Sequence, residues 1–319
     1  QKILFFFFLI SDLLQFLRKF LTFSFLLKPI YLINFAPMQK IAFIINPFSS
    51  KGNYQPLLEE LKNKIENPLV YISDSINGTD DFIKNNWENV EVFVAIGGDG
   101  TISTVAKSII NSDKILGIIP AGSGNGFANE TQFNIGLDQL LKKLETQNFK
   151  EIDTFTVNGR FSINVAGVGF DGAVVEAFEK TSRGFKNYIK TSIQTYFKYQ
   201  PIKITFEEKY KKYNGKYLMM NIANTRQFGN NAYIAPHASK SDGLLEIALV
   251  KKFPFTHAAT FAYRMFTKKL VENQHLKYIS VPEIEFSVNS NLWHLDGEFN
   301  EIESPIKVKV LPKSLRILI

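Results

Sequence analysis

An apolar run, Val92-Phe93-Val94-Ala95-Ile96, ends in Gly97-Gly98-Asp99-Gly100-Thr101, and helical periodicity follows from Ile102 to Ile110. A strand, then clustered glycines, then a helix N-terminus is the arrangement a phosphate-binding turn requires. Glycines let the backbone approach an anion closely and reach positive φ. The first free N–H groups of the helix and its dipole then favour negative charge. Asp99 stands out in such a turn, because a carboxylate repels phosphate unless a metal ion or a proton donor lies between them. The string therefore points to Mg-nucleotide chemistry rather than to simple anion binding.

The 319 residues, 45% of them hydrophobic, suffice for about two domains at ~100–200 residues each. With no cysteine, disulfides, thiolate metal sites and cysteine nucleophiles are excluded, and a reducing, cytoplasmic location is compatible. His237, His257, His275 and His294 show no metal-ligand spacing. The net charge of +7 suits an anionic partner, a nucleotide or an anionic lipid surface. No Arg/Gly-rich run or zinc-finger pattern accompanies it, so nucleic acid is not expected. Residues 1–37 are dense in Phe, Leu and Ile and precede the first methionine, Met38. Asp12, Arg18, Lys19 and Lys28 interrupt them before ~20 apolar residues accumulate, and the positive start of a signal sequence is missing. Translated upstream sequence, with the natural start at Met38, is the favoured reading over a membrane-associating helix.

Residues 38–129 alternate short apolar runs with helical periodicity. Strands are expected at Ile41–Ile45, Leu69–Ile72, Val90–Ile96 and Ile115–Ile119. Helices are expected at Gln55–Ile65 and from a Thr79 cap, with Asp80 and Asp81 in the first turn, to Trp87. This order predicts a doubly wound parallel α/β domain, whose ligand loops gather at strand carboxyl ends. Residues 130–319 read as β-rich, an antiparallel sandwich-like domain with the active site in the cleft between the two. Hairpins are expected around Asn158-Gly159 and Asn214-Gly215, with strands at Leu244–Val250, Tyr278–Val281, Ile284–Val288, Ile306–Val310 and Leu315–Ile319. Helices are expected across Phe185–Tyr199 and Pro254–Lys269.

Three small-residue loops follow strand ends: Asn46-Pro47-Phe48-Ser49-Ser50-Lys51-Gly52, the Gly97–Thr101 string, and Gly122-Ser123-Gly124-Asn125-Gly126. Alone, the first is an ordinary turn and the third an interdomain hinge as readily as a phosphate loop. Together, in this order and spacing, they resemble the catalytic domain shared by diacylglycerol kinases, sphingosine kinases and related bacterial lipid kinases. The similarity continues through Asn164 to Asp171, Ala235-Pro236 to Leu245, His294-Leu295-Asp296-Gly297-Glu298, and the closing residues from Pro305 to Ile319.

The resemblance implies ATP- and Mg2+-dependent transfer of a phosphoryl group to a lipid hydroxyl at an anionic membrane surface, with peripheral association and room for a homodimer. It assigns Asn46, Gly97, Gly98, Asp99, Gly100, Thr101, Gly122, Ser123, Gly124 and Asn125 to the nucleotide, with Asp99 acting through Mg2+ or ordered water. It makes Asp296 the general base and Glu298 its neighbour in the metal-water network, and gives Asp242 a structural Mg2+ site. Asp171 would meet a polar or cationic headgroup, or else cap a neighbouring turn. Many bacterial diacylglycerol kinases carry an acid where this chain has Gly126, which loosens an assignment to diacylglycerol. NAD kinases share the glycine–aspartate string, and a catalytically silent lipid- or nucleotide-binding module is the third alternative. Without the resemblance, Asp296-Gly297-Glu298 reads as a solvated hairpin turn.

Overall fold

The computed structural model describes residues 40–49, 52–133, 135–146, 148–181 and 185–319. The expectations for residues 1–37 and for Ser50 and Lys51 lie outside the described residues. Four strands, β1 (Ile41–Ile45), β2 (Leu69–Ile72), β3 (Val92–Gly97) and β4 (Ile115–Pro120), pair in parallel in the order β2-β1-β3-β4. Their continuous apolar runs are those of a sheet covered on both faces. Between them lie α1 (Gln55–Lys64), α2 (Ile76–Asn85) and α3 (Asp99–Ile109). The chain leaves β1 and β3 toward opposite edges. The crevice at the carboxyl ends of this adjacent pair is the topological switch point, where such sheets bind ligands.

Beyond β4 the same sheet continues with β16 (Ile306–Leu318), β13 (Glu283–Val288), β8 (Ile202–Phe206) and β9 (Gly215–Tyr217). β5 (Phe149–Val157) also pairs with β16, and β6 (Arg160–Ser162) pairs with β5. A second, antiparallel sheet runs β12 (Leu276–Val281), β11 (Leu245–Val250), β10 (Met219–Ala223), β7 (Val165–Gly169), β14 (Leu292–Leu295) and β15 (Glu298–Glu301). The two sheets enclose a core that includes Phe155, Val168, Ile222, Phe286 and Trp293. The α/β domain followed by an antiparallel sandwich is the expected fold class. Among the described residues no helix is long and apolar enough to cross a membrane.

Local expectations fail where a distant group intervenes. Ser75, not Thr79, caps α2: its hydroxyl accepts from the Gly78 amide at 2.9 Å, while Thr79 is buried inside the helix and bonds the Ser73 hydroxyl at 2.8 Å. Asn158 and Gly159 both take positive φ (47° and 78°), as a type I′ turn requires. Asn214-Gly215 does not. Glu208–Tyr213 forms a 3-10 turn with a Glu208–Lys211 ion pair, and the Asn214 carboxamide accepts from the Phe206 amide at 2.7 Å. The strand that leaves the Asn158-Gly159 turn ends at Ser162, and the chain resumes as β7 in the other sheet. The Ile306–Val310 and Leu315–Ile319 segments fuse into one bulged strand, β16. Three further helices were not anticipated: α4 (Gly126–Glu130), α5 (Leu137–Thr146) and α6 (Phe170–Glu179). α7 (Phe185–Lys198) and α8 (Ala258–Phe266) fall where expected.

Candidate active site

The three loops meet at the carboxyl ends of β1, β3 and β4. The Asn46 carboxamide donates to the Thr101 hydroxyl at 2.9 Å and accepts from the Phe48 amide at 2.9 Å, tying the first loop to the second. Thr101 folds back over Gly97, where a Cβ would lie 2.4 Å from its hydroxyl oxygen. The second and third loops touch backbone to backbone. A Cβ on Gly122 would lie 2.6 Å from the Gly98 Cα, and the Ala121 amide donates to the Gly97 carbonyl at 2.7 Å. Asn125, in the left-handed region at φ 47°, accepts from the Gly122 amide at 3.0 Å. Ser123 is exposed and Gly124 half-buried. These contacts bring the three loops together beside the N-terminus of α3.

Asp99 points across the crevice. Its two oxygens accept the Gly126 and Phe127 amides at 3.1 Å each, so it holds the first turn of α4. Gly126 is required there, since a Cβ would lie 2.5 Å from the Phe228 carbonyl oxygen. The same contact leaves no room for the acid that many bacterial diacylglycerol kinases carry at this position. Behind it, buried Glu130 accepts from Arg226 at 2.7 and 3.2 Å and from Gln227 at 2.7 Å. Burial alone would raise its carboxyl, but these partners hold it below the usual range.

Asp296 and Gly297 form the two-residue turn between β14 and β15, with φ 52° and 89°. The turn is a hairpin, but it is not merely solvated. Asp296 is half-buried and accepts four hydrogen bonds: Ser162 hydroxyl at 2.6 Å and Asn164 amide at 2.8 Å on Oδ1, Ile163 amide at 3.1 Å and Ser103 hydroxyl at 3.0 Å on Oδ2. Capture of the Ile163 and Asn164 amides explains why the strand breaks after Ser162. A carboxylate has about four acceptor positions, and all are used. The two amides are fixed and the two hydroxyls are rotors, so a proton can enter only where Ser103 or Ser162 turns away. Ser103 sits on α3, the helix that opens at the glycine string.

Glu298 is exposed as a residue, but its carboxylate reaches the first turn of α3, where a Cβ on Gly100 would lie 2.3 Å from Oε1. Asp99, Asp296 and Glu298 thus converge on one helix N-terminus. Burial raises all three carboxyls above their usual range. The charge of Asp296 adds to this at Asp99 and Glu298, and Glu179 adds to it at Glu298, while four donors pull Asp296 back. This set of hard oxygen donors under mutual repulsion fits Mg2+, which keeps water and phosphate oxygens in its shell. Among the described residues no three acidic or imidazole groups converge closely enough to chelate an ion unaided.

Asp171, on α6, lies in a separate buried polar cluster. It accepts from the Asn221 carboxamide, from His294 Nε2 at 3.1 Å and from the Gly172 amide at 2.9 Å. Only glycine fits above it, since a Cβ on Gly167 would meet all three side chains within 2.6 Å. Asn221 Oδ1 and His294 Nδ1 are buried without a partner. Asp242 is exposed and accepts from the Leu244 amide at 3.0 Å. Burial, with the charges of Asp242 and Glu272, holds nearby Glu246 above the usual range. Ser103, Ser162, Glu130, Arg226 and Asn221 carry no sequence signal, because each acts through a partner at least 50 positions away.

Residues 40–157 match the family described as "Diacylglycerol kinase catalytic domain", and residues 164–319 match "YegS C-terminal NAD kinase beta sandwich-like domain". The chain is 26% identical over 282 residues to "Diacylglycerol kinase" of Bacillus subtilis, covering 82% of this chain and 90% of that one. It is 27% identical over 245 residues to "Probable lipid kinase YegS-like" of Xanthomonas oryzae, covering 72% and 79%. In fold it resembles the crystal structure of a diacylglycerol kinase from Bacillus anthracis, with TM-score 0.67 over 88% of this chain and 96% of that one at 18% identity.

Proposed function

Because the chain belongs to the family of lipid kinases built on the diacylglycerol kinase catalytic domain, we propose that it moves the γ-phosphoryl group of ATP, with Mg2+, onto the hydroxyl of a diacylglycerol- or sphingoid-like lipid. The observation that carries this reading is the convergence of Asp99, Asp296 and Glu298 on the N-terminus of α3, beside the crevice formed by the three loops. The α3 amides and the glycine backbones hold phosphate, and Asn46 and Asn125 keep the loops in register. Asp99 and Glu298 would hold the metal through its water shell. Mg2+, when bound, neutralises charge on the transferring phosphates.

Asp296 takes the proton of the acceptor hydroxyl as that oxygen bonds to the γ-phosphorus and the bond to the ADP oxygen breaks. Ser103 or Ser162 turns to free the lone pair. Asp171, held by His294 and Asn221, orients the polar end of the lipid. Asp242 would belong to a second, structural Mg2+ site, where the cation would offset the repulsion that Asp242 and Glu272 exert on Glu246. The protein works from the cytoplasmic side as a peripheral membrane protein.

Asp296→Asn is expected to lower phosphate transfer by at least ~10³-fold while leaving ATP affinity within about threefold, measured with radiolabelled ATP and a panel of lipid acceptors. Surviving turnover would remove Asp296 as the base. The sandwich description of residues 164–319 gives NAD a place in the same panel. Phosphorylation of NAD in preference to every lipid would replace the lipid reading.

A further inference from the structure

α7 and the segment that leads to α8 combine exposed apolar side chains with exposed cations. On α7, Ile189, Ile193 and Phe197 follow each other at four-residue spacing, with 44, 43 and 63% of their surface exposed. Phe255, 44% exposed, packs against Phe197 with ring centroids 4.7 Å apart, so the patch continues into the segment that leads to α8. Four adjacent apolar side chains left partly in water mark a surface meant to be covered.

The charge around the patch says what covers it. Residues 185–198 contain Lys186, Lys190 and Lys198, residues 251–270 contain Lys251, Lys252, Arg264, Lys268 and Lys269, and neither stretch contains an Asp or Glu. All eight cations are exposed. Along the two stretches that carry the patch the exposed charges are all cations, and aliphatic and aromatic side chains bordered by them complement an anionic bilayer. The position agrees. α7 packs on α6, with Tyr188 edge-on to Phe178 at 5.4 Å. Asp171 stands in the first turn of α6, the helix on which α7 packs.

We propose that the Ile189–Ile193–Phe197–Phe255 face docks the protein on an anionic phospholipid surface. The apolar side chains enter the acyl boundary and the lysines bind headgroup phosphates. This rests on the lipid-kinase reading for its purpose, since a docked α7 sets the Asp171 cluster beside the bilayer that supplies the acceptor.

The test uses the full chain and vesicles that contain no acceptor lipid, so binding is read independently of catalysis. Wild-type protein is expected to co-sediment with vesicles of phosphatidylcholine and phosphatidylserine, and to bind pure phosphatidylcholine at least about tenfold more weakly. The Ile193→Glu/Phe197→Glu variant is expected to lose at least about tenfold in partitioning. It should still phosphorylate a short-chain diacylglycerol dispersed as monomers within about twofold of wild type, which also reports that it is folded. Lys186→Gln/Lys190→Gln/Lys198→Gln, confined to exposed positions, should lose the preference for anionic vesicles while keeping its thermal midpoint. A benzophenone amino acid at position 193 should crosslink to lipid. Undiminished partitioning of the glutamate variant overturns the proposal. So do crosslinks that go only to a second copy or to residues 1–39.

Discussion

At the scale of single residues, the site stores negative charge that the fold alone does not compensate. Asp296 is held by four donors, but Glu298 has burial, Asp296 and Glu179 against its ionised form. Its carboxyl is therefore raised in the folded chain above the ~4.3 of an unfolded one. A raised carboxyl costs no stability while both states are protonated, and the cost grows as pH rises through the folded value. Glu298→Gln removes that cost. The variant should match the wild-type melting temperature near pH 4 and exceed it at pH 8, in the absence of ligand, by differential scanning fluorimetry. With Mg-ATP the order should reverse, because the variant has one metal-binding oxygen pair fewer. A ligand-free glutamine variant that melts below wild type at pH 8 would mean that Glu298 is held by a favourable partner.

At the scale of elements, the strand–glycine–helix unit of β3 and α3 was legible, because its information is local: an apolar run, a glycine cluster and a helical period. The switch point was legible for the same reason, through the order of strands and helices. What the glycines do was less so. Gly122 is the point where the second and third loops cross, and its φ is not in the left-handed region, so space rather than conformation excludes a side chain. Gly122→Ala must push the Gly98 backbone away by several tenths of an ångström. It should cost ~1–3 kcal/mol in denaturant unfolding and weaken ATP binding by at least about tenfold, with the two effects measured separately by urea titration and calorimetry. Retained affinity with lost stability would make the crossing purely structural. The elements that escaped the sequence share one cause. β7 separates from β6 because Asp296, more than 130 positions away, takes two backbone amides. α4 forms over five residues because Asp99 caps it from another loop. Side-chain acceptors that recruit distant backbone leave no periodicity, so the motif residues were visible and their addresses were not.

At the scale of the molecule, two domains were expected along the sequence, yet two strands belong to both cores. β16 contributes Ile306, Val308 and Val310 to the sandwich core and Leu315, Ile317 and Leu318 to the α/β core. β5 does the same with Phe155 and Val157 on one side and Ile152 on the other. Along its length β16 pairs with β13, β5 and β4, so one ladder runs from the sandwich into the parallel sheet. Unfolding either core alone would tear β16 and β5 at mid-strand and expose the apolar side chains they give to the other. The crevice between the domains is then built on a shared beam, and its geometry is set by folding rather than by a flexible linker. The chain carries its own probes of this. Its two tryptophans are Trp87, packed near Phe93 at the edge of the α/β core, and Trp293, fully buried in the sandwich. In Trp293→Phe, fluorescence reports the first core; in Trp87→Phe, it reports the second. Within each variant the fluorescence and far-ultraviolet circular dichroism transitions in guanidinium should coincide, whatever the variant does to overall stability. A fluorescence midpoint displaced from the circular dichroism midpoint in either protein would mean that one core opens alone, and that the beam does not couple the two halves of the site.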